Sequence, residues 1–174
     1  GMHVRLVMRN GFIVRTRAPS CTNTSGRVTI AFIRDPIERV VSTFQDKVVA
    51  ETCTYPPFSW VCRIPSSLQW ESFIDAIVSH RMTDVHVLPQ ESLLDLQAHS
   101  VRIYRFDNLS AKWPGILRDA HVDTCRSSSL HFHCNRRDTT NRTHAMVNAL
   151  PTRLQTRLYR HFRRDTWLFN RAVQ

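Results

Sequence analysis

The sequence lacks any apolar run of the roughly 18 residues that a membrane-spanning helix needs. It also lacks internal repeats and low-complexity tracts, which excludes solenoid and repeat-array architectures. No signal-peptide pattern opens the chain, so we expect a soluble protein. Its 174 residues, 42% of them hydrophobic, are enough to bury one core. We therefore expect a single domain over residues 1–174.

Lysine is nearly absent, and acidic residues are outnumbered. The chain has 24 basic and 14 acidic residues and a net charge of +10, and only Lys47 and Lys112 are lysines. Arginine supplies the rest, and its planar guanidinium suits phosphate and sulfate. An anionic nucleotide and a polyanionic glycan both match this sign. Nucleic acid matches it too, but we do not expect it, because the sequence has no helix-turn-helix, zinc-finger or RNA-stacking motif.

The five cysteines leave the redox state open. Cys53 and Cys62 bracket a proline-rich loop, Cys125 and Cys134 have the same separation, and Cys21 is left over. Two local disulfides would suit an oxidising compartment, whereas an odd number of cysteines equally suits a reduced cytosol. One polar loop also collects ligand-type side chains, namely His121, Cys125, His131, His133 and Cys134. Their spacing fits no strong zinc pattern, so no metal site is predicted.

Residues 28–47 are the most informative stretch of the chain. The first six of them fit a buried strand, and Arg34 follows at its carboxyl end. Asp35 suits a helix N-cap, Pro36 suits the first helical position, and Glu38 completes a capping box. Apolar residues at i, i+4, i+7 and i+11 then predict a core-facing stripe formed by Ile37, Val41, Phe44 and Val48.

The rest of the chain alternates between strand-like and helix-like segments. Asn10-Gly11 predicts a hairpin within residues 3–17. The further predicted elements are a helix over 69–80, a second helix from near Pro89, a strand over 101–106, a short helix over about 113–119 and a last helix from Pro151. This alternation predicts an α/β domain with a parallel sheet.

The string Arg34-Asp35-Pro36, Arg39, Ser42 and Lys47 resembles the 3′-phosphate-binding motif of the carbohydrate sulfotransferases, the Golgi-type sulfotransferase family 2 and its bacterial relatives. Helical spacing puts Arg39 and Ser42 on a polar face of the predicted helix. Further segments resemble later parts of that family in the same order: Asp84-Val-His86-Val-Leu-Pro89-Gln90, residues 101–109, Asn135 and residues 154–169.

This resemblance implies a P-loop-NTPase-like parallel sheet flanked by helices. It also implies transfer of a sulfuryl group from phosphoadenosine phosphosulfate (PAPS) to a hydroxyl or amine, expected on a carbohydrate or small molecule, with adenosine bisphosphate (PAP) as product. Arg34 and Ser42 would hold the 3′-phosphate of the donor, with Arg39 in the same motif. A bacterial relative would be cytoplasmic, and a trimmed eukaryotic domain would belong in the Golgi lumen.

His86 is the best base within the family-like segments, because imidazole titrates near neutrality. A histidine that only hydrogen-bonds a neighbouring loop is the alternative. Such a base would take the acceptor proton during the transfer.

The amino-terminal part departs from the family pattern. The family carries a phosphosulfate loop, Pro-Lys-x-x-Gly-Thr-Ser or similar, whose backbone N–H groups cradle the donor. In the best match here Thr24 and Ser25 fit, but Ser20 replaces the lysine and Asn23 replaces the glycine. A polar, turn-rich connection is the alternative interpretation.

Spacing departs as well. The family places a helix and usually a strand between this loop and the Arg-Asp-Pro strand, whereas Ser25 and Val28 are nearly adjacent here. We therefore expect a truncated or divergent amino-terminal part. A degenerate, non-catalytic domain that binds nucleotides or polyanions is the alternative function.

Overall fold

The computed structural model of the chain describes residues 3–7, 15–17, 29–50, 54–94, 101–106, 109–119 and 140–172. The chain divides into two compact units, which are described separately below. Unit 1 comprises residues 1–34, 94–136 and 171–174, and unit 2 comprises residues 35–93 and 137–170. The prediction of one domain over the whole chain stays a prediction.

The described residues contain four strands and six α-helices. The strands are β1 (His3–Val7), β2 (Arg15–Arg17), β3 (Thr29–Ile33) and β4 (Val101–Arg105). The helices are α1 (Pro36–Thr43), α2 (Ser66–Val78), α3 (Leu109–Asp119), α4 (Thr140–Asn148), α5 (Thr152–His161) and α6 (Arg163–Arg171). Short 3₁₀ turns occur at Pro56–Phe58, Val61–Arg63 and Gln90–Leu93, and a π-helical segment at Phe44–Ala50.

Unit 1 is built on a sheet with strand order β2-β1-β3-β4. β3 pairs in parallel with β4, with Ala31 opposite Ile103, and also in parallel with β1. This confirms the predicted parallel pairing of the two segments near residues 28–33 and 101–106. β1 and β2 pair antiparallel, as the predicted hairpin requires, while its Asn10-Gly11 turn lies outside the described residues. A small, mainly parallel sheet in a helix-rich chain fits the predicted α/β class.

Aromatic rings join the sheet of unit 1 to its helix. The Phe32 ring lies 6.2 Å from both the Tyr104 ring and the Trp113 ring, measured between centroids. α3 begins at Leu109 instead of near 113, because Leu109 is fully buried and adds a turn to the stripe that continues through Trp113 and Ile116. Pro114 therefore lies inside the helix and not at its first turn.

Unit 2 is held by an apolar core that its helices share. All four residues of the predicted stripe are buried there: Ile37, Val41, Phe44 and Val48. α1 begins as predicted, because Asp35 Oδ1 accepts hydrogen bonds of 2.9 Å from the backbone N–H groups of Ile37 and Glu38. The Phe44 ring packs edge-on against Trp70 at 5.0 Å and against Phe73 at 5.3 Å.

Several element boundaries differ from the predicted ones. α2 begins at Ser66, directly after Pro65. The predicted last helix is two helices, because the chain leaves helical geometry at the fully buried Phe162 (φ −99°, ψ 19°). Within the described residues the helix predicted near Pro89 is only the 3₁₀ turn at Gln90–Leu93.

The proline-rich loop is packed into the core of unit 2. Phe58 and Val61 are fully buried, and the Phe58 ring lies 5.4 Å from the Phe73 ring. Cys62, in the same loop, is disulfide-bonded, and the other four cysteines all lie outside the described residues. This favours the oxidised alternative for Cys62.

The packed aromatic rings of Phe44, Phe58, Trp70 and Phe73 should make a large contribution to the stability of unit 2. We expect Phe73→Ala to lower the free energy of unfolding by about 3–5 kcal/mol, because it empties a fully buried ring site. Urea denaturation measures the change. Leu68→Ala is the matched control on the same helix, since Leu68 is 49% exposed and its truncation should cost less than about 0.5 kcal/mol. Similar losses in the two variants would contradict the assignment of the core.

Candidate functional site

Arg34 directly follows β3 in unit 1. The backbone N–H of Phe106 donates to the carbonyl of Ile33 at 2.9 Å, which extends the β3–β4 pairing by one residue. The Arg34 guanidinium carbon lies 5.8 Å from the centre of the Phe106 ring, a cation–π contact. The side chain is half-buried. A guanidinium is a planar group whose N–H donors suit bidentate contact with a phosphate.

Ser42 lies on α1 in unit 2. It is half-buried, and its hydroxyl makes no hydrogen bond to any of the described residues. A hydroxyl of this kind can donate to a phosphate oxygen. The other predicted donor contacts, Ser20, Thr24 and Ser25, lie outside the described residues.

Arg39 is buried, whereas helical spacing predicted a polar face. It is 1% exposed, and its Nη2 lies 3.8 Å from Oδ2 of Asp165, which is fully buried on α6. Its guanidinium also donates to the backbone carbonyl oxygens of Val85, at 3.4 Å, and of Leu88. The contacts are polar, as the spacing predicted, but they lie inside the protein. In this structure Arg39 therefore links α1 to the segment around residue 86 and to α6.

Asp165 completes this buried link. Its two carboxylate oxygens accept hydrogen bonds from the backbone N–H groups of Gln90 at 2.6 Å and Glu91 at 2.8 Å. The carboxylate thus caps the 3₁₀ turn at Gln90–Leu93 and faces Arg39 at the same time. Three segments that resemble the family motif meet at this ion pair.

His86 belongs to a second cluster in unit 2. Its Nδ1 lies 2.7 Å from Oδ1 of Asp84, and its backbone N–H donates to the same oxygen at 2.9 Å. The Tyr55 hydroxyl donates to Oδ2 of Asp84 at 2.8 Å. Lys47 Nζ lies 5.5 Å from the centre of the Tyr55 ring. The His86 side chain is 23% exposed, and none of the described residues hydrogen-bonds its Nε2.

Asp84 is held in its charged form. Burial on its own would raise the pKa of this carboxyl, but the hydrogen bonds from the His86 backbone, the Tyr55 hydroxyl and the His86 ring outweigh burial, and the pKa is lowered. The charged Asp84 carboxylate contacts Nδ1 of His86. The second ring nitrogen, Nε2, can then accept a proton.

Sequence reasoning missed several of these partners. Asp84 and Asp165 were part of the family-like segments but had no assigned role. Tyr55 comes from the proline-rich loop, where no periodic pattern pointed to it. Helical spacing gave no sign that Arg39 is buried, because a polar residue facing a buried carboxylate has the same spacing as one facing solvent.

The comparison with protein families identifies the class. The model described as Sulfotransferase family matches residues 13–170, which is most of the chain. The chain therefore belongs to the sulfotransferase family, as its motifs predicted. Membership indicates sulfuryl transfer as the general activity, with a nucleotide donor and an acceptor substrate. Neither the curated proteins nor the solved structures gave a match to the chain.

Two further expectations concern membranes and metals. Across the residues that the structure describes, no helix has the length and apolar character to cross a membrane. The same residues contain no group of three or more histidine, cysteine, aspartate or glutamate side chains that could hold a metal ion. The ligand-type loop from His121 to Cys134 lies outside them.

The Arg39–Asp165 pair should contribute strongly to the stability of unit 2. We expect Asp165→Ala to cost about 3–5 kcal/mol of unfolding free energy, because it leaves a buried guanidinium without its counter-charge. Urea denaturation measures this. Arg164→Ala is the control: it removes a pair with Glu91 in which Arg164 is 75% exposed, and should cost at most about 1 kcal/mol.

A double variant separates the ion pair from general damage to the core. Arg39→Met with Asp165→Leu removes both charges, so its loss should be smaller than the sum of the single losses. Additive losses would contradict direct coupling of the two side chains.

Proposed function

We propose that this chain transfers the sulfuryl group of PAPS to a hydroxyl or amine of a carbohydrate. Family membership supports the reaction class, and the net charge of +10 supports an anionic donor and acceptor. The observation that carries the proposal is the Asp84–His86 pair with Nε2 available, because transfer needs a positioned base.

In this proposal the donor's 3′-phosphate is bound by Arg34 and Ser42, following the family motif. The chemistry of these residues fits that group: one is a half-buried guanidinium at a strand end, and the other is a half-buried hydroxyl with no hydrogen bond to a described residue. Ser20, Thr24 and Ser25 are proposed to contact the phosphosulfate end. We assign Arg39 a structural role instead, because its guanidinium is committed to Asp165 and two backbone carbonyls.

His86 is proposed as the catalytic base. Its Nε2 takes the proton from the acceptor hydroxyl or amine while the acceptor atom forms a bond to sulfur. The bond between sulfur and the bridging phosphate oxygen breaks, and its electron pair leaves with PAP. PAPS supplies the activated sulfuryl group, and the chain's residues bind it and remove the acceptor proton.

The first test is binding of the product. Arg34→Ala should weaken PAP binding about tenfold to 150-fold, because a charge-assisted hydrogen bond is worth roughly 1.5–3 kcal/mol. Ser42→Ala removes a neutral donor and should cost about twofold to tenfold. Calorimetric titration with PAP, and with adenosine monophosphate for comparison, measures both. Arg160→Ala, a change of an exposed arginine on α5, is the control and should bind normally.

Two outcomes of the binding experiment would contradict the proposed donor site. If the wild-type chain does not prefer PAP over adenosine monophosphate, the proposed donor site is wrong. The same follows if folded Arg34→Ala binds PAP as tightly as wild type.

The second test concerns the loop. With Ser20 where the family has lysine, we expect transfer slower than about 1 per second, because a cation that stabilises the leaving oxygen is missing. Ser20→Lys should raise the rate by a factor on the order of a hundred. An assay with labelled PAPS and a panel of glycans and small alcohols measures transfer.

A matched variant controls for added charge. Thr156→Lys puts the same charge at an exposed position on α5 and should leave the rate unchanged. PAP binding with no transfer by wild type or Ser20→Lys would favour the non-catalytic alternative. A wild-type rate of an ordinary enzyme would show that another group stabilises the leaving oxygen.

A further inference from the structure

We infer that Asp84 and Tyr55 are positioning residues that hold His86 in the one neutral tautomer able to act as a base at Nε2. The inference rests on the proposed function for its catalytic consequence, since it deepens the role of His86 there. Its structural part, the location of the ring proton, can be measured without any turnover.

Asp84 contacts the His86 ring directly. Asp84 Oδ1 lies 2.7 Å from Nδ1 of His86, a short hydrogen-bond distance. An ionised carboxylate can only accept hydrogen bonds, so the proton between these atoms belongs to Nδ1. Neutral imidazole carries one ring proton, and Nε2 is then left with its lone pair. The carboxylate therefore selects the tautomer.

The Asp84 carboxylate is itself held by hydrogen bonds to both of its oxygens. Its Oδ1 also accepts the backbone N–H of His86 at 2.9 Å, so one oxygen binds both the ring and the main chain of the same residue. Its Oδ2 accepts the Tyr55 hydroxyl at 2.8 Å. The Tyr55 hydroxyl is 3.5 Å from Nδ1, too long to compete with the carboxylate for that atom. Both carboxylate oxygens thus have donors, and the carboxylate has little freedom to rotate.

The His86 ring is also packed against the Tyr55 ring. The Tyr55 and His86 rings meet nearly perpendicular, at 84° and 5.5 Å between centroids. Tyr55 is in turn supported by the buried Phe58, whose ring is 5.2 Å away. Thr43 of α1 also contacts this segment, because its Oγ1 donates to the backbone carbonyl of His86 at 3.3 Å. The ring, its main chain and its carboxylate partner are all restrained by neighbours.

Charge completes the arrangement. Among the described residues, the charged or titratable groups next to His86 are Asp84, Tyr55, Lys47 across the Tyr55 ring, and Arg39 of α1, which donates to backbone carbonyls of the same segment. The lowered pKa of Asp84 keeps the carboxylate ionised at neutral pH. Its negative charge stabilises the imidazolium that forms when Nε2 takes the acceptor proton. The geometry is that of the carboxylate–histidine part of a catalytic triad.

The tautomer can be read by nuclear magnetic resonance. In a ¹⁵N-labelled sample at a pH where His86 is neutral, long-range ¹H–¹⁵N spectra should show a protonated Nδ1 and an unprotonated Nε2. Loss of the signal in His86→Gln assigns it among the nine histidines. In Asp84→Asn the protonated nitrogen should change or become mixed. Asp75→Asn, which alters an ion-paired aspartate on α2, should leave the His86 signals unchanged.

Kinetics test the catalytic consequence. Asp84→Asn should lower kcat by about a hundredfold or more while PAP binding stays unchanged, because general-base catalysis is worth about 10²–10⁴-fold. Tyr55→Phe should lower kcat only about twofold to tenfold. Asp84→Glu should recover part of the loss.

The outcomes separate this inference from the proposed function. A wild-type His86 protonated on Nε2, or Asp84→Asn with wild-type spectra and a wild-type kcat, overturns the inference. If the tautomer is as stated but His86→Gln transfers at the wild-type rate, the proposed base is wrong and Asp84 only orders the loop. If the tautomer is as stated and the chain transfers nothing, the proposed enzymatic function fails while the ring geometry stands.

Discussion

The buried pair between Arg39 and Asp165 is the interaction on which the arrangement of unit 2 depends. Arg39 contacts the backbone of residues 85 and 88 together with Asp165, and Asp165 contacts the backbone of residues 90 and 91. Two buried charges are costly unless each finds its partner, so the pair is satisfied only when α1, the segment from 84 to 91 and α6 are all in place. This requirement couples segments that lie far apart in the sequence.

The same coupling fixes the environment of His86. That residue sits between Val85 and Leu88, the two residues whose carbonyls Arg39 binds, and its own carbonyl accepts from Thr43 on α1. α1 thus holds the main chain of this segment, while Asp84 and Tyr55 hold the ring of His86. Arginine suits such a position because it can bind a carboxylate and two carbonyls at once with a rigid set of donors.

Local patterns predicted the elements well and their polar contacts poorly. The strand before Arg34, the cap at Asp35 and the stripe from Ile37 to Val48 were all predicted from short-range sequence patterns. The structure confirms them. The buried state of Arg39 depends on Asp165, which is 126 residues away, and no periodicity contains that information. Tyr55 was missed for a similar reason, since its loop is held by Phe58 in the core and not by a repeating pattern. The last helix, predicted as one, is interrupted at Phe162, because spacing alone does not register a break in backbone angles.

The two ends of the proposed reaction make different demands on the chain. In the proposed reaction a base in a fixed tautomer removes the acceptor proton, and the described residues proposed to fix it, Thr43, Tyr55 and Asp84, belong to unit 2. Stabilising the leaving phosphate requires cations and backbone donors, and there the sequence departs from its family at Ser20. In the proposed function the residues assigned to the base and those assigned to the donor loop are different, so a chain can keep an ordered base while its donor loop diverges. Under the proposed function, the Asp84–His86 pair would activate the acceptor, and the loop would control how fast the sulfuryl group leaves its donor.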